Sequence, residues 1–158
     1  MLYLVLVVAF VIAMLWLFQI VWLDDFYRYY KTNEVASAAT STEELHNPVH
    51  PGTRRKLAEA GIRCEGKRAR QMNRSDYNVY DMLIGMEESN MRNMRRMLDG
   101  DPDGKLVKLL CLCGETADVS DPWWTGDFDS TYRDVLRGCR ALMQLLCEQN
   151  GWKLKGDF

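Results

Sequence analysis

The chain has 158 residues, enough for one ordinary domain with a real core, and 20 Lys and Arg face 22 Asp and Glu for a net charge of −2. That balance excludes the electrostatic footprint of a nucleic-acid binder. Five Cys at positions 64, 111, 113, 139 and 147 are an odd number without zinc spacing. Free thiols in a reducing compartment are the expected state, with no metal and no cofactor.

Met1 to Leu23 contains no Asp, Glu, Lys, Arg or His, and its one strongly polar side chain is Gln19. Two readings compete for it. About 20 apolar residues suffice to cross a bilayer, and Tyr3, Trp16 and Trp22 near the ends, followed by Arg28 and Lys31, suit an interfacial belt. A removable signal peptide fits less well, because a basic leading region and a small-residue cleavage site are missing. The rival is a buried first strand of a parallel sheet over Leu4 to Ala13, rich in Val, Ile and Leu. A third origin is a segment foreign to the domain, from a wrong start or a spliced frame. The chain therefore divides into an apolar segment, 1–23, and an α/β domain, 24–158.

Val35 to Ala39 reads as a short strand with Ser37 and Thr40 near its end. The turn Asn47-Pro48-Val49-His50-Pro51-Gly52 leads into a helix over Thr53 to Ala60, stopped by Gly61. His46 and His50 share helical i, i+4 spacing, but Pro48 and Pro51 argue for a loop, and no metal is expected there. Arg63, Lys67, Arg68, Arg70 and Arg74 form a basic stretch that reads as a solvated face. Tyr80 to Met86 is a strand, and Ser89 is placed to cap a helix running to Leu98, closed by Asp99-Gly100. Met91, Met94 and Leu98 fall on one helical face and read as core. Leu106 to Leu112 reads as the next strand, and alternating strands and helices argue for a parallel α/β sheet. From Tyr132 to Cys147 apolar residues recur at three and four, an amphipathic helix ended by Asn150-Gly151.

Between the last strand and the last helix stands Val119-Ser120-Asp121-Pro122-Trp123-Trp124-Thr125-Gly126-Asp127-Phe128. Two large aromatics beside an acid and a rigid turn residue are either a cap on the core or a site. With Ser37-Ala38-Ala39-Thr40, Leu83-Ile84-Gly85-Met86 and Ser89-Asn90, this stretch resembles the low-molecular-weight protein tyrosine phosphatases, from about Val35 to Cys147. The resemblance implies a four-stranded parallel sheet flanked by helices, Rossmann-like, preceded here by an anomalous apolar segment. It implies phosphotyrosine monoester hydrolysis through a cysteinyl-phosphate, acting on a phosphotyrosine protein or a small aryl phosphate, in the cytoplasm. Asp121 takes the place of the general acid and base, and Trp123 and Trp124 that of the aromatics gripping the ring.

The same resemblance requires a Cys-x5-Arg-Ser/Thr phosphate loop after the first strand. On that alignment Val8 stands where the nucleophilic Cys belongs and Met14 where the phosphate-binding Arg belongs. An apolar run without glycine or cation cannot turn backbone N–H groups inward as an anion nest. Cys64 to Arg70 fits Cys-x5-Arg literally, but follows a polar loop, carries Glu65 next to the thiol and ends on Gln71 instead of a hydroxyl. It reads as a chance match, leaving no nucleophile. The expectation is an inactive relative, a pseudoenzyme. The alternative is a membrane-tethered, non-catalytic phosphatase-like binding protein held through residues 1–23.

Overall fold

The computed structural model describes residues 4–7, 35–122 and 126–151. Its strands are β1 (Leu4–Val7), β2 (Val35–Ala38), β3 (Met82–Gly85) and β4 (Leu106–Lys108). Its helices are α1 (Pro51–Glu59), α2 (Arg74–Val79), α3 (Glu88–Leu98) and α4 (Phe128–Asn150). A 3-10 turn, Leu109–Cys113, follows β4 directly.

All pairings among the described strands are parallel, in the order β2-β1-β3-β4. Leu4 to Val7 therefore lies inside the sheet, with Val7 level with Ala38 on one side and Gly85 on the other. This strand falls within the span Leu4 to Ala13 read as a strand, of which residues 8–13 lie outside the described residues. Residues 8–34, where the remainder of the proposed span would run, lie outside the described residues. Among the described residues no helix is long and apolar enough to cross a membrane.

Side chains alternate across a strand, so neighbours on β3 serve different layers. Ile84 belongs to a core built with Leu57 of α1 and Val135, Leu142 and Leu146 of α4. Leu83 belongs to a second core with Tyr77 of α2 and Met91, Met94 and Leu98 of α3. Helices thus cover both faces of the sheet. The stripe Met91, Met94 and Leu98 is core, as its spacing predicts.

Three expectations need correction. The strand expected over Leu106 to Leu112 stops at Lys108. A continuing strand would send Leu109 and Leu110 to opposite faces, yet both lie in the α1–α4 core at 0% and 1% exposure. The 3-10 turn makes that possible, and Gly138 of α4 makes room for it: a Cβ there would fall 2.3 Å from Leu109 Cγ. Second, Ser89 is not the cap of α3. Glu87 is the N-cap, and its carboxylate accepts from the Ser89 hydroxyl and from Asn90 Nδ2. Third, α2 adds a helix where none was expected. It is set by a capping box in which Asn73 Oδ1 accepts from Ser75 N–H and Asp76 Oδ2 from Asn73 N–H.

Candidate active site

Parallel strands present their carboxyl ends at one edge, and ligands of such sheets bind where successive connections diverge. Here β1 is flanked by β2 and β3, so the divergence falls at the ends of Val7 and Gly85. Adjacent strands are about 5 Å apart, so Val7 ends beside Ala38 on one side and Gly85 on the other.

The Asp-Pro loop is hung from that edge. Val119 N–H donates to the carbonyl of Met86, one residue past β3, at 2.9 Å. Met86 is itself held, its N–H donating to Oδ1 of the buried Asn90 at 3.0 Å. Asp118 Oδ1 accepts from Glu88 N–H at 3.1 Å and from Lys108 Nζ at 2.8 Å. Lys108 Nζ also donates to the Thr116 carbonyl. The Asp118 carboxylate accounts first for the raised Lys108 pKa, against the opposing pull of burial.

Ser120 comes next and turns to α4. Its N–H and hydroxyl both donate to Asp134 Oδ2, at 3.2 and 3.0 Å, and its carbonyl accepts from Thr131 Oγ1 at 2.6 Å. Asp121 follows, exposed, and then the buried Pro122. The loop is closed by Gly126 N–H donating to the Pro122 carbonyl at 2.8 Å. Asp127 then caps α4, its carboxylate accepting from the N–H groups of Asp129 and Ser130. The helix therefore starts at Phe128, four residues before the apolar periodicity becomes visible at Tyr132.

Among the residues expected at the site, Asp121 is exposed and lies two residues after Val119, whose N–H bonds the Met86 carbonyl just past β3. Ser37 sits on β2 level with Leu6 of β1, half-buried. Trp123 and Trp124 lie outside the described residues, as do Val8 and Met14. His50 does a structural job: its Nδ1 accepts from Gly52 N–H at 3.2 Å at the start of α1.

Cys64 and Arg70 do not form a site. Burial is the first cause of a raised Cys64 thiol pKa, Glu65 adds to it, and Arg54 only partly opposes it. A nucleophilic cysteine needs the reverse shift. Arg70 is committed to Asp76 through two hydrogen bonds, Nη1 to Oδ2 at 2.9 Å and Nη2 to Oδ1 at 3.1 Å. Among the described residues, no group of three or more His, Cys, Asp or Glu could hold a metal.

A parallel sheet covered by helices on both faces, with the Val119–Pro122 segment hung from the carboxyl end of β3, has the architecture of small α/β proteins that bind ligands at strand carboxyl ends. The family model for low molecular weight phosphotyrosine protein phosphatase matches residues 26–151, and the chain belongs to that family. The low molecular weight protein-tyrosine-phosphatase YfkJ of Bacillus subtilis is 31% identical over 109 residues, covering 68% of this chain and 70% of that one. PtpA of Staphylococcus saprophyticus is 31% identical over 114 residues, 72% of each chain. The crystal structure of YfkJ superposes with a TM-score of 0.84 at 25% identity, over 94% of this chain and 96% of that one. The Streptococcus pyogenes low molecular weight protein tyrosine phosphatase gives 0.77 at 28% identity, over 92% and 93%.

Proposed function

We propose that this chain keeps the acid half of a phosphotyrosine phosphatase and does not hydrolyse phosphotyrosine. In the family's chemistry a low-pKa thiolate attacks phosphorus and a nest of N–H groups with an Arg holds the equatorial oxygens. An Asp protonates the departing tyrosyl oxygen and then activates water. Asp121 is the residue for the last role, and Trp123 and Trp124 for gripping the ring.

One observation carries the reading. Between Met1 and Val35 the sequence has no Cys, no Ser and no Gly, and β1 ends at Val7, so the residue that follows is Val8. A thiolate cannot come from that segment, and Cys64 has the wrong protonation and the wrong neighbours. Losing a covalent nucleophile costs on the order of 10⁶ in rate in well-studied serine hydrolases. Losing the oxyanion donors removes phosphate affinity as well.

Incubating the purified full chain with an aryl phosphate tests this. The expected rate is that of the buffer; vanadate-sensitive, thiol-dependent turnover would overturn the reading. A second reading rests on the uncharged run from Met1 to Leu23, which could tether a non-catalytic binding protein to a membrane. Resistance to carbonate extraction supports the tether, and release into the supernatant removes it.

A further inference from the structure

We infer that Asp134 of α4 is a positioning residue for the Asp121 loop, acting through Ser120; the inference rests on reading Asp121 as the acid. Asp134 is the seventh residue of its helix, too far from the N-terminus to gain from the helix dipole. Asp is also a poor helix former in a helix interior. What it does there is reach outward: one oxygen takes both the N–H and the hydroxyl of Ser120, while the other takes Arg137 at 3.1 Å. Thr131, one turn earlier, holds the Ser120 carbonyl.

All three polar groups of Ser120 are therefore spent on a single helix. The carbonyl that Thr131 holds belongs to the peptide group joining Ser120 to Asp121. On the far side Pro122 fixes its own φ. Asp121 is thus suspended between a residue bonded to α4 and a residue with a locked torsion. All of these Ser120 contacts are made to α4.

Electrostatics agree with the geometry. Burial pulls the Asp134 carboxyl upward, but the Ser120 N–H and hydroxyl and the Arg137 guanidinium outweigh it, and the group stays ionised below the ordinary aspartate range. Glu115 pairs with Arg137 from the segment after the 3-10 turn, and Asp121 itself is the nearest acid along the loop.

Backbone amide exchange by NMR on the full chain is the test, with Asp134→Ala and the acceptor-preserving Asp134→Asn. The Ala variant removes the acceptor while raising helix propensity, so the helix itself is not put at risk. The expected result is exchange faster by roughly tenfold or more at Ser120 and also at Gly126, whose N–H closes the loop without touching Asp134. Amides at Leu142 to Leu146 stay protected, and Asp134→Asn recovers most of the protection at Gly126. Faster exchange confined to Ser120 would reduce Asp134 to a local contact and overturn the inference. So would unchanged exchange, or a uniform loss through α4. No substrate enters the measurement, so its outcome is independent of whether the chain turns over an aryl phosphate.

Discussion

The rings of His50 and Phe128 stack with centroids 5.6 Å apart and planes 9° from parallel. His50 caps α1 and Phe128 opens α4, so the stack joins the beginnings of the two helices that cover one face. Gly52 lies under the same ring: a Cβ built on it would come 2.1 Å from Phe128 Cζ.

Gly52→Ala should accordingly destabilise the protein by about 1–3 kcal/mol, the ordinary penalty for overpacking a filled site. The gain in helix propensity, about 1 kcal/mol at most, does not reverse the sign. Urea denaturation should show a lower midpoint at an unchanged slope. An unchanged midpoint would mean that Phe128 swings away freely.

Asp76 is 6% exposed and gathers Arg70 in two bonds and the Asn73 N–H at 2.8 Å. Asp76→Ala removes an ion pair and a cap together. Arg70 is 39% exposed, so solvent replaces part of the loss, and the expected cost is about 2–3 kcal/mol. Thermal unfolding of Asp76→Ala and Arg70→Gln reads it, with the smaller effect expected for Arg70→Gln because the cap survives.

The thiols should separate by accessibility. Cys111 is exposed, whereas Cys64, Cys139 and Cys147 are buried. Burial raises the pKa of all three buried thiols, most of all Cys139. A thiol reagent under native conditions should label Cys111 first and Cys113 more slowly. The other three should wait for unfolding, which peptide mapping with and without denaturant will show. Fast labelling of Cys64 under native conditions would contradict its assignment as a buried structural residue and reopen the Cys-x5-Arg match.

Asp127 and Asp134 both hold their protons less tightly than ordinary aspartates. The Ser130 hydroxyl is the main cause for Asp127, followed by the Ser130 N–H, with the Asp129 N–H also helping. A depressed folded-state pKa adds stability that is present above the unfolded value near 3.9 and is lost as pH falls through the folded value. The melting temperature should therefore hold steady down to about pH 4 and drop below it. Asp127→Asn keeps a competent cap but removes the charge, and should flatten that acid limb. An acid limb identical to that of the unmodified protein would show that Asp127 does not contribute to it.

Long apolar periodicities were legible from residues alone. The stripes of α3 and α4, and the Gly-terminated end of α4 at Gly151, emerge as the sequence predicts. Short elements governed by single contacts were not. The helix Arg74–Val79 is polar, and its signal is the Asn73-x-x-Asp76 box, visible only as a capping pattern. The early end of β4 depends on Gly138, 29 positions past Leu109, which no local window contains. At the site, the Asp-Pro motif marked Asp121, while the Asp134 and Thr131 contacts to Ser120 come from side chains on a helix that reads simply as amphipathic.

One consequence follows from β1 lying between β2 and β3. A version of the protein without Leu4–Val7 would carry a slot one strand wide between β2 and β3. Two rows of backbone amides and carbonyls would face each other there with nothing between them. Such a body should capture an added extended peptide of matching apolar sequence or, failing that, the chain of a neighbour.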